Sequence, residues 1–289
     1  MNNFIPWGSQ PLNEWAQKYA RGKFIDLDGH KTHYIEKGEG DPVILIHGFF
    51  FDTHMWDSNI DALAQDYKVY ALDLWGSGYS TRTLMDYGYP LYANQVRSFM
   101  DALGVEKATL IGQSMGGGTI IKFGVTNRDR IHKIVLVDPA ILHQEVPLIG
   151  KVALLPGVGE FLYGLNSNFM REFTLKNTFI NDHNIITDEY FHRVTRFQKV
   201  EGSTECLLAV LRKQFFFTLD AELHQLATMD VPTLIVAGRQ SNGVLPSNSQ
   251  EVSRILPGSQ LEIFEQAGHC PNIDQAEKFN QVTLEFLKR

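Results

Sequence analysis

The sequence predicts an α/β protein built on one eight-stranded, mostly parallel sheet, with a block of helices inserted late in the chain. Three observations carry that expectation. Short apolar runs ending in Gly or Asp recur along the chain. All but the first two are apolar almost throughout, as strands buried on both faces are. The rhythm then breaks between Asp138 and Thr233, where helix-like segments take over.

The first two runs, KFIDL and THYIEKG, alternate in polarity and flank Asp28-Gly29, a two-residue hairpin signal, so the sheet starts antiparallel. PVILIHG, KVYALDL, ATLIGQS, KIVLVDP, PTLIVAG and LEIFEQAGH supply the remaining strands. EFLYGL, NFMREFTLK and TECLLAVLRKQFFF fall in the interruption, which divides the chain into a core of residues 1–140 and 228–289 and a helical cap of residues 141–227. The cap aromatics Phe161, Tyr163, Phe169, Phe173, Phe179, Tyr190, Phe191, Phe197, Phe215, Phe216 and Phe217 read as its own core, with some facing a ligand. The apolar stretch VALLPGVGEFLYGL at 152–165 reads as lining of a hydrophobic acyl or aryl pocket. In PLNEWAQKYAR at 11–21, Leu12, Trp15 and Tyr19 share one helical face, read as packing on the protein itself.

Composition narrows the function. A chain of 289 residues that is 44% apolar can bury a large core without disulfide or metal staples. Its net charge of −7 is spread along the chain, which argues against nucleic acid and anionic membranes as partners and for a small or neutral ligand; a homodimer stays open. Cys206 and Cys270 match no redox or metal spacing and read as reduced thiols in a cytoplasmic protein. The start MNNFIPWGSQ has no signal-peptide character, and no run of about 18 apolar residues occurs. His30 and His33 have the spacing of a metal pair but lack a third ligand, so no metal and no cofactor is expected, and the pair reads as the exposed part of a hairpin.

One motif carries chemistry. Gly112-Gln113-Ser114-Met115-Gly116 follows the strand ATLI and precedes a helix, the context in which G-x-S-x-G presents a serine nucleophile on a tight strand-turn-helix corner. A serine hydroxyl needs a base, and His269 in QAGHCPN, just past the last strand, is the histidine in the right place. His183, His192 and His224 read as surface or packing residues, and His47 as a brace for its loop. Acyl transfer also needs N–H donors for the oxyanion, for which the amides of Phe49 and Met115 are the candidates.

With HGFF at 47–50, DLWGSGYS at 73–80, GQSMGG at 112–117, VPTLIVAG at 231–238 and AGH at 267–269, the chain resembles the α/β-hydrolase superfamily over residues 24–140 and 228–289. The resemblance implies the α/β-hydrolase fold, a site at the carboxyl ends of the strands beneath a cap inserted after strand six, Ser114 as nucleophile, His269 as base, and Phe49 with Met115 as oxyanion hole. Trp75 stands where Arg or Pro is common, without removing a catalytic group. Serine at the elbow, rather than aspartate, disfavours dehalogenase or epoxide hydrolase chemistry. Hydrolysis of a hydrophobic carboxylic ester, lactone or thioester ranks first and carbon–carbon hydrolysis of ring-fission products second, because FFFD and Cys270 replace the Gly/Ser-rich loop and the Trp common in the latter. A ligand-binding protein that keeps only the fold is the third reading.

The acid is the open question. The resemblance puts it a few residues past the glycine that ends strand seven, at Ser241 or, with one extra loop residue, Asn242, and neither carries charge. Asp138, ending strand six beside the nucleophile strand, is the expected substitute; its alternative role is to organise the turn before Pro139. Asn242 is the runner-up, since an amide oxygen can orient an imidazole without charging it. An inactivating substitution at the acid position is the third alternative.

Overall fold

The computed structural model describes residues 4–144, 151–152, 154–165, 167–213, 215–216 and 218–289. Its eight strands are β1 (Lys23–Leu27), β2 (His30–Lys37), β3 (Pro42–Ile46), β4 (Lys68–Leu72), β5 (Ala108–Gln113), β6 (Ile131–Val137), β7 (Thr233–Gly238) and β8 (Gln260–Phe264). They form one sheet in the order β1-β2-β4-β3-β5-β6-β7-β8. β1 and β2 pair antiparallel through the Asp28-Gly29 turn, where both residues have positive φ (56° and 79°), as a type I′ hairpin requires. β2 runs antiparallel to β4, and every later pairing is parallel.

Before the sheet comes α1 (Leu12–Tyr19), and around it lie α2 (Ile60–Leu63), α3 (Tyr89–Ala102) and α4 (Met115–Gly124). The central strands are apolar throughout because both faces are covered. Ile44, Ile46, Leu110, Ile134 and Leu136 join α3 and α4 residues such as Phe99, Ile120 and Phe123 in one cluster. Val43, Leu45, Ile111, Val135 and Val137 point the other way, into a cluster with Trp56, Phe279 and Phe286.

Between β6 and β7 the described chain is helical: α5 (Val158–Gly164), α6 (Phe169–Thr174), a π turn at Leu175–Phe179, α7 (Asp188–Thr195), α8 (Ser203–Lys213) and α9 (Asp220–Ala227). The chain closes with α10 (Pro246–Ile255), α11 (Pro271–Asp274) and α12 (Ala276–Lys288). Tyr163, Phe179, Phe191 and Phe197 are buried, but Phe161, Phe169 and Phe173 are exposed, against the expectation that these aromatics form a core or line a pocket. Helical geometry gives the reason. Phe169 and Phe173, four residues apart, share an outward face, while Arg171 between them turns inward and is 2% exposed. Val152, Leu155 and Leu165 are exposed too, so the 152–165 stretch is not the pocket lining expected of it; Ala153 and Phe217 lie outside the described residues.

The N-terminal segment straps the helical block. Gly8, Ser9 and Gln10 donate backbone hydrogen bonds to Gln198 and Lys199, and Glu201 donates back to Gln10. Trp15 of α1 is buried with Tyr79, Phe197 and Val200, its indole N–H on the Arg196 carbonyl. Among the described residues no helix is long and apolar enough to cross a membrane, and no group of histidine, cysteine and acidic side chains could hold a metal ion. Cys206 and Cys270 are both buried and free.

His33 corrects the sequence reading of the hairpin. It is 1% exposed, with Nδ1 2.7 Å from Asp73 Oδ2 and Nε2 2.6 Å from the Arg21 carbonyl. Asp73, the first residue of DLWGSGYS, also accepts from the amides of Thr53 and Tyr79 and so organises the whole loop.

Candidate active site

Five of the parallel strands, β3, β5, β6, β7 and β8, lie side by side and end at one edge of the sheet. The loops leaving that edge bring together residues remote in sequence.

Ser114 follows β5 directly and precedes α4, with φ 51° and ψ −112°, a conformation that costs an ordinary L-residue strain. Its amide donates to the Val137 carbonyl of β6, and its carbonyl accepts from Ala140 and Gly118. The flanking glycines explain the motif: a Cβ on Gly112 would lie 2.5 Å from the Gly116 backbone, and one on Gly116 would lie 2.2 Å from the Ile46 carbonyl. Only glycine lets β3, β5 and α4 converge so closely. Among the described residues, Ser114 Oγ has no hydrogen-bond partner.

The loop after β3 carries Phe49 and Phe50, the latter at φ 75°. His47 braces it, donating from Nδ1 to the Gly48 carbonyl and accepting the Leu74 amide at Nε2. Burial holds this imidazole below its ordinary pKa, against the pull of Asp73, so it stays neutral. The amides of Phe49 and Met115 donate to no other described group. Gln198, which the sequence did not single out, donates to the Phe50 carbonyl and accepts from the buried Arg171, whose guanidinium stacks 3.7 Å from the Trp7 ring centroid. The signal for it is spatial, because residues 50, 171 and 198 have no sequence relationship.

His269 is 2% exposed, its ring 5.8 Å from that of Phe179. Its Nδ1 lies 3.2 Å from Ser241 Oγ and 3.9 Å from Asp138 Oδ2. Ser241 therefore occupies the position beside the imidazole, and Asp138 stands behind it. Asn242 does not reach the site: it is exposed and donates to the Asn177 carbonyl. A loop without an extra residue turns Ser241 inward and the next side chain outward, which removes Asn242 as a stand-in acid.

Asp138 is wholly buried at φ 41°, accepts the Gly238 amide at Oδ2, and has an Oδ1 without a partner among the described residues. Burial pushes its carboxyl well above the ordinary range, against the pull of the Gly238 amide and the Ser241 hydroxyl. Burial also lowers His269 to about 3. Burial thus works against the charged form of both groups.

Two further residues fix His269. Gln113 Nε2, from the residue before Ser114, donates to the His269 carbonyl at 2.7 Å. Asp274 accepts the amides of Gly268, Asn181 and Asp182, tying the AGH loop to the segment after the π turn. Next to the Phe49–Phe50 loop lies a narrow cleft lined by Phe49, Met115, Phe197, Leu207 and Val210 among others, with no charged side chain among the described residues of its wall. His183, His192 and His224 are exposed and are not among its lining residues.

The pattern of the alpha/beta hydrolase fold matches residues 41–276. The chain belongs to the α/β-hydrolase fold family. Within the family it is similar to a 2-hydroxy-6-oxo-6-phenylhexa-2,4-dienoate hydrolase of Burkholderia cepacia, with 30% identity over 90% of this chain and 92% of the relative. It is equally identical, at 30% over 99% of this chain and 75% of the relative, to the dihydrolipoyllysine-residue acetyltransferase component of the acetoin cleaving system of Cupriavidus necator. Among solved structures, that of a meta-cleavage product hydrolase mutant superimposes with a TM-score of 0.78 at 28% identity, covering 92% of this chain and 98% of the other.

Proposed function

We propose that this α/β-hydrolase is a serine hydrolase that cleaves a carbon–carbon bond next to a ketone, with Ser114 as nucleophile and His269 as base. The carrying observation is the Gln113–His269 hydrogen bond, which ties the residue before Ser114, itself on a strained turn, to a buried imidazole backed by Ser241 and Asp138. Similarity over nine-tenths of the chain to a protein named as a 2-hydroxy-6-oxo-6-phenylhexa-2,4-dienoate hydrolase and to one named as a meta-cleavage product hydrolase ranks carbon–carbon cleavage above the ester hydrolysis that the sequence suggested first.

In this reading Ser114 Oγ adds to the ketone carbon as His269 Nε2 takes its proton, and the oxyanion receives the Phe49 and Met115 amides. The tetrahedral adduct collapses with cleavage of the carbon–carbon bond, and the imidazolium returns the proton to the departing carbanion. Water, deprotonated by His269, then releases the carboxylic acid from Ser114. Asp138 serves as the acid, and residues 141–227 cap the site as a separate helical unit.

Ester hydrolysis is the second reading, favoured by one observation: the described residues of the cleft wall are uncharged, whereas the dienoate of the Burkholderia relative's name is an anion. Offering the protein a ring-fission dienoate and a neutral aryl ester separates the two by kcat/KM. Ser114→Ala abolishes both activities, and a fluorophosphonate labels Ser114. An unlabelled serine and no turnover of either substrate would leave a ligand-binding protein on a hydrolase scaffold.

A further inference from the structure

We propose that Ser241 is a positioning residue that relays the Asp138 carboxylate to His269, so that the acid acts through a hydroxyl rather than by direct contact. The inference rests on the reading of Ser114 and His269 as nucleophile and base.

The geometry points to it by counting donors. Asp138 Oδ2 and His269 Nδ1 are 3.9 Å apart, beyond hydrogen-bond distance, while Ser241 Oγ is 3.2 Å from the same nitrogen. A general base must keep Nε2 free to accept a proton, which puts the ring hydrogen on Nδ1 and makes Nδ1–H a donor to Ser241 Oγ. The Val244 amide donates to the same oxygen at 3.3 Å. Both lone pairs of the hydroxyl are then occupied, and its own hydrogen needs an acceptor. Asp138 is the acceptor at hand: its carboxylate lies 3.9 Å from the same imidazole nitrogen, is fully buried, and leaves Oδ1 without a partner among the described residues.

The chain of hydrogen bonds therefore runs from Nδ1–H to Ser241 Oγ and from Ser241 O–H to Asp138. It has a direction. With Asp138 ionised, the hydroxyl must point at the carboxylate and the imidazole must present a bare Nε2. With Asp138 protonated, the carboxyl can donate to Ser241, whose hydrogen turns to Nδ1 and moves the ring proton to Nε2, the tautomer that cannot accept from Ser114. Other titratable groups around His269 are Cys270, whose thiol burial pushes up, and Asp274, which three amides hold in place; Asp182 lies beyond Asp274. None of these has a described hydrogen bond to the imidazole.

The test is steady-state kinetics and the pH profile of kcat/KM, with a neutral aryl ester and a ring-fission dienoate as substrates and Ser114 labelling by a fluorophosphonate as an independent readout. Ser241→Ala is expected to lower kcat about 10- to 100-fold with KM within about twofold, the scale of a lost hydrogen bond to a charged group. It is also expected to move the acid limb of the profile, and Asp138→Asn in that background adds little. Ser241→Thr keeps the hydroxyl and the rate. In Ser241→Asp, which sets a carboxylate directly on Nδ1, Asp138→Asn no longer matters. Wild-type rate and pH profile in Ser241→Ala, with Asp138→Asn still damaging, overturn the relay and leave the nucleophile and base intact. Full activity in Ser114→Ala overturns the parent reading instead.

Discussion

The Gln113 side chain donates from Nε2 to the His269 carbonyl at 2.7 Å, joining the residue before Ser114 to His269 across 156 positions of sequence. Both partners are buried, so the bond fixes the His269 loop relative to the Ser114 turn without using the side chain of either Ser114 or His269. Gln113→Leu strands a buried carbonyl, at a cost of about 1–3 kcal/mol. A displaced imidazole also slows proton transfer, and about 1 Å of misplacement is worth up to about a hundredfold in rate. The expected outcome is a melting temperature lower by several degrees together with a kcat at least about tenfold lower. A lower melting temperature with unchanged kcat would make Gln113 purely structural.

The His33–Asp73 pair sets a second, opposite kind of expectation. Both ring nitrogens of His33 face acceptors, so both carry hydrogen and the buried ring is an imidazolium. Burial works against that charge, but the Asp73 carboxylate outweighs it and raises the pKa. Stabilisation by the pair is therefore complete below the unfolded value near 6.5 and is lost as pH rises through the folded pKa. On the acid side Asp73 is held below the ordinary carboxylate range, so its contribution persists until pH falls through that depressed value. Urea unfolding of wild type and His33→Gln between pH 6 and pH 10 should show a stability gap that is widest at pH 6 and shrinks with rising pH. A gap independent of pH would mean that His33 is neutral.

The sheet was legible because burial on both faces leaves a mark in every strand, and Asp28-Gly29 because a type I′ turn restricts the residues it accepts. Gly112 and Gly116 were legible for the same reason, since a side chain at either would collide with backbone. Residues of the site that act through distance were not. Ser241 and Asn242 are adjacent in sequence, and only the turn geometry after β7 decides which one faces His269. The helical block misled through composition: Phe161, Phe169 and Phe173 are apolar residues that the helices turn outward, and Arg171 is a cation they turn inward onto Trp7. His33 misled because its spacing from His30 suggested an exposed pair, while its true partner, Asp73, lies 40 residues on.

His269 should make the fold sensitive to acid. Burial lowers its pKa to about 3 in the folded chain, whereas the unfolded chain binds a proton near pH 6.5. Its contribution to stability is thus present above pH 6.5 and is lost progressively as pH falls toward 3. His269→Gln, which does not titrate, removes that liability along with the activity. Relative to wild type, the variant should gain stability between pH 8 and pH 4.5, read as a difference in melting temperature that moves in its favour with acid. An unchanged difference across that range would place the histidine's folded pKa near its ordinary value.

Ser114 separates activity from stability most directly. At φ 51° and ψ −112° its backbone occupies a region that an L-residue pays about 1–3 kcal/mol to enter and that glycine enters freely. Its hydroxyl has no partner among the described residues, so Ser114→Ala removes the nucleophile while keeping both the Cβ and the strain. Ser114→Gly removes the nucleophile and the strain together, against an added unfolded-chain entropy of about 0.5–1 kcal/mol. Both variants should be inactive and unlabelled by fluorophosphonate. The glycine variant should nonetheless unfold at higher urea than the alanine variant, by about 1 kcal/mol in stability, because the Cβ strain released outweighs the entropy added. An alanine variant as stable as the glycine one would mean that the elbow holds its serine without strain, and the turn's tightness would then serve only the approach of β3, β5 and α4.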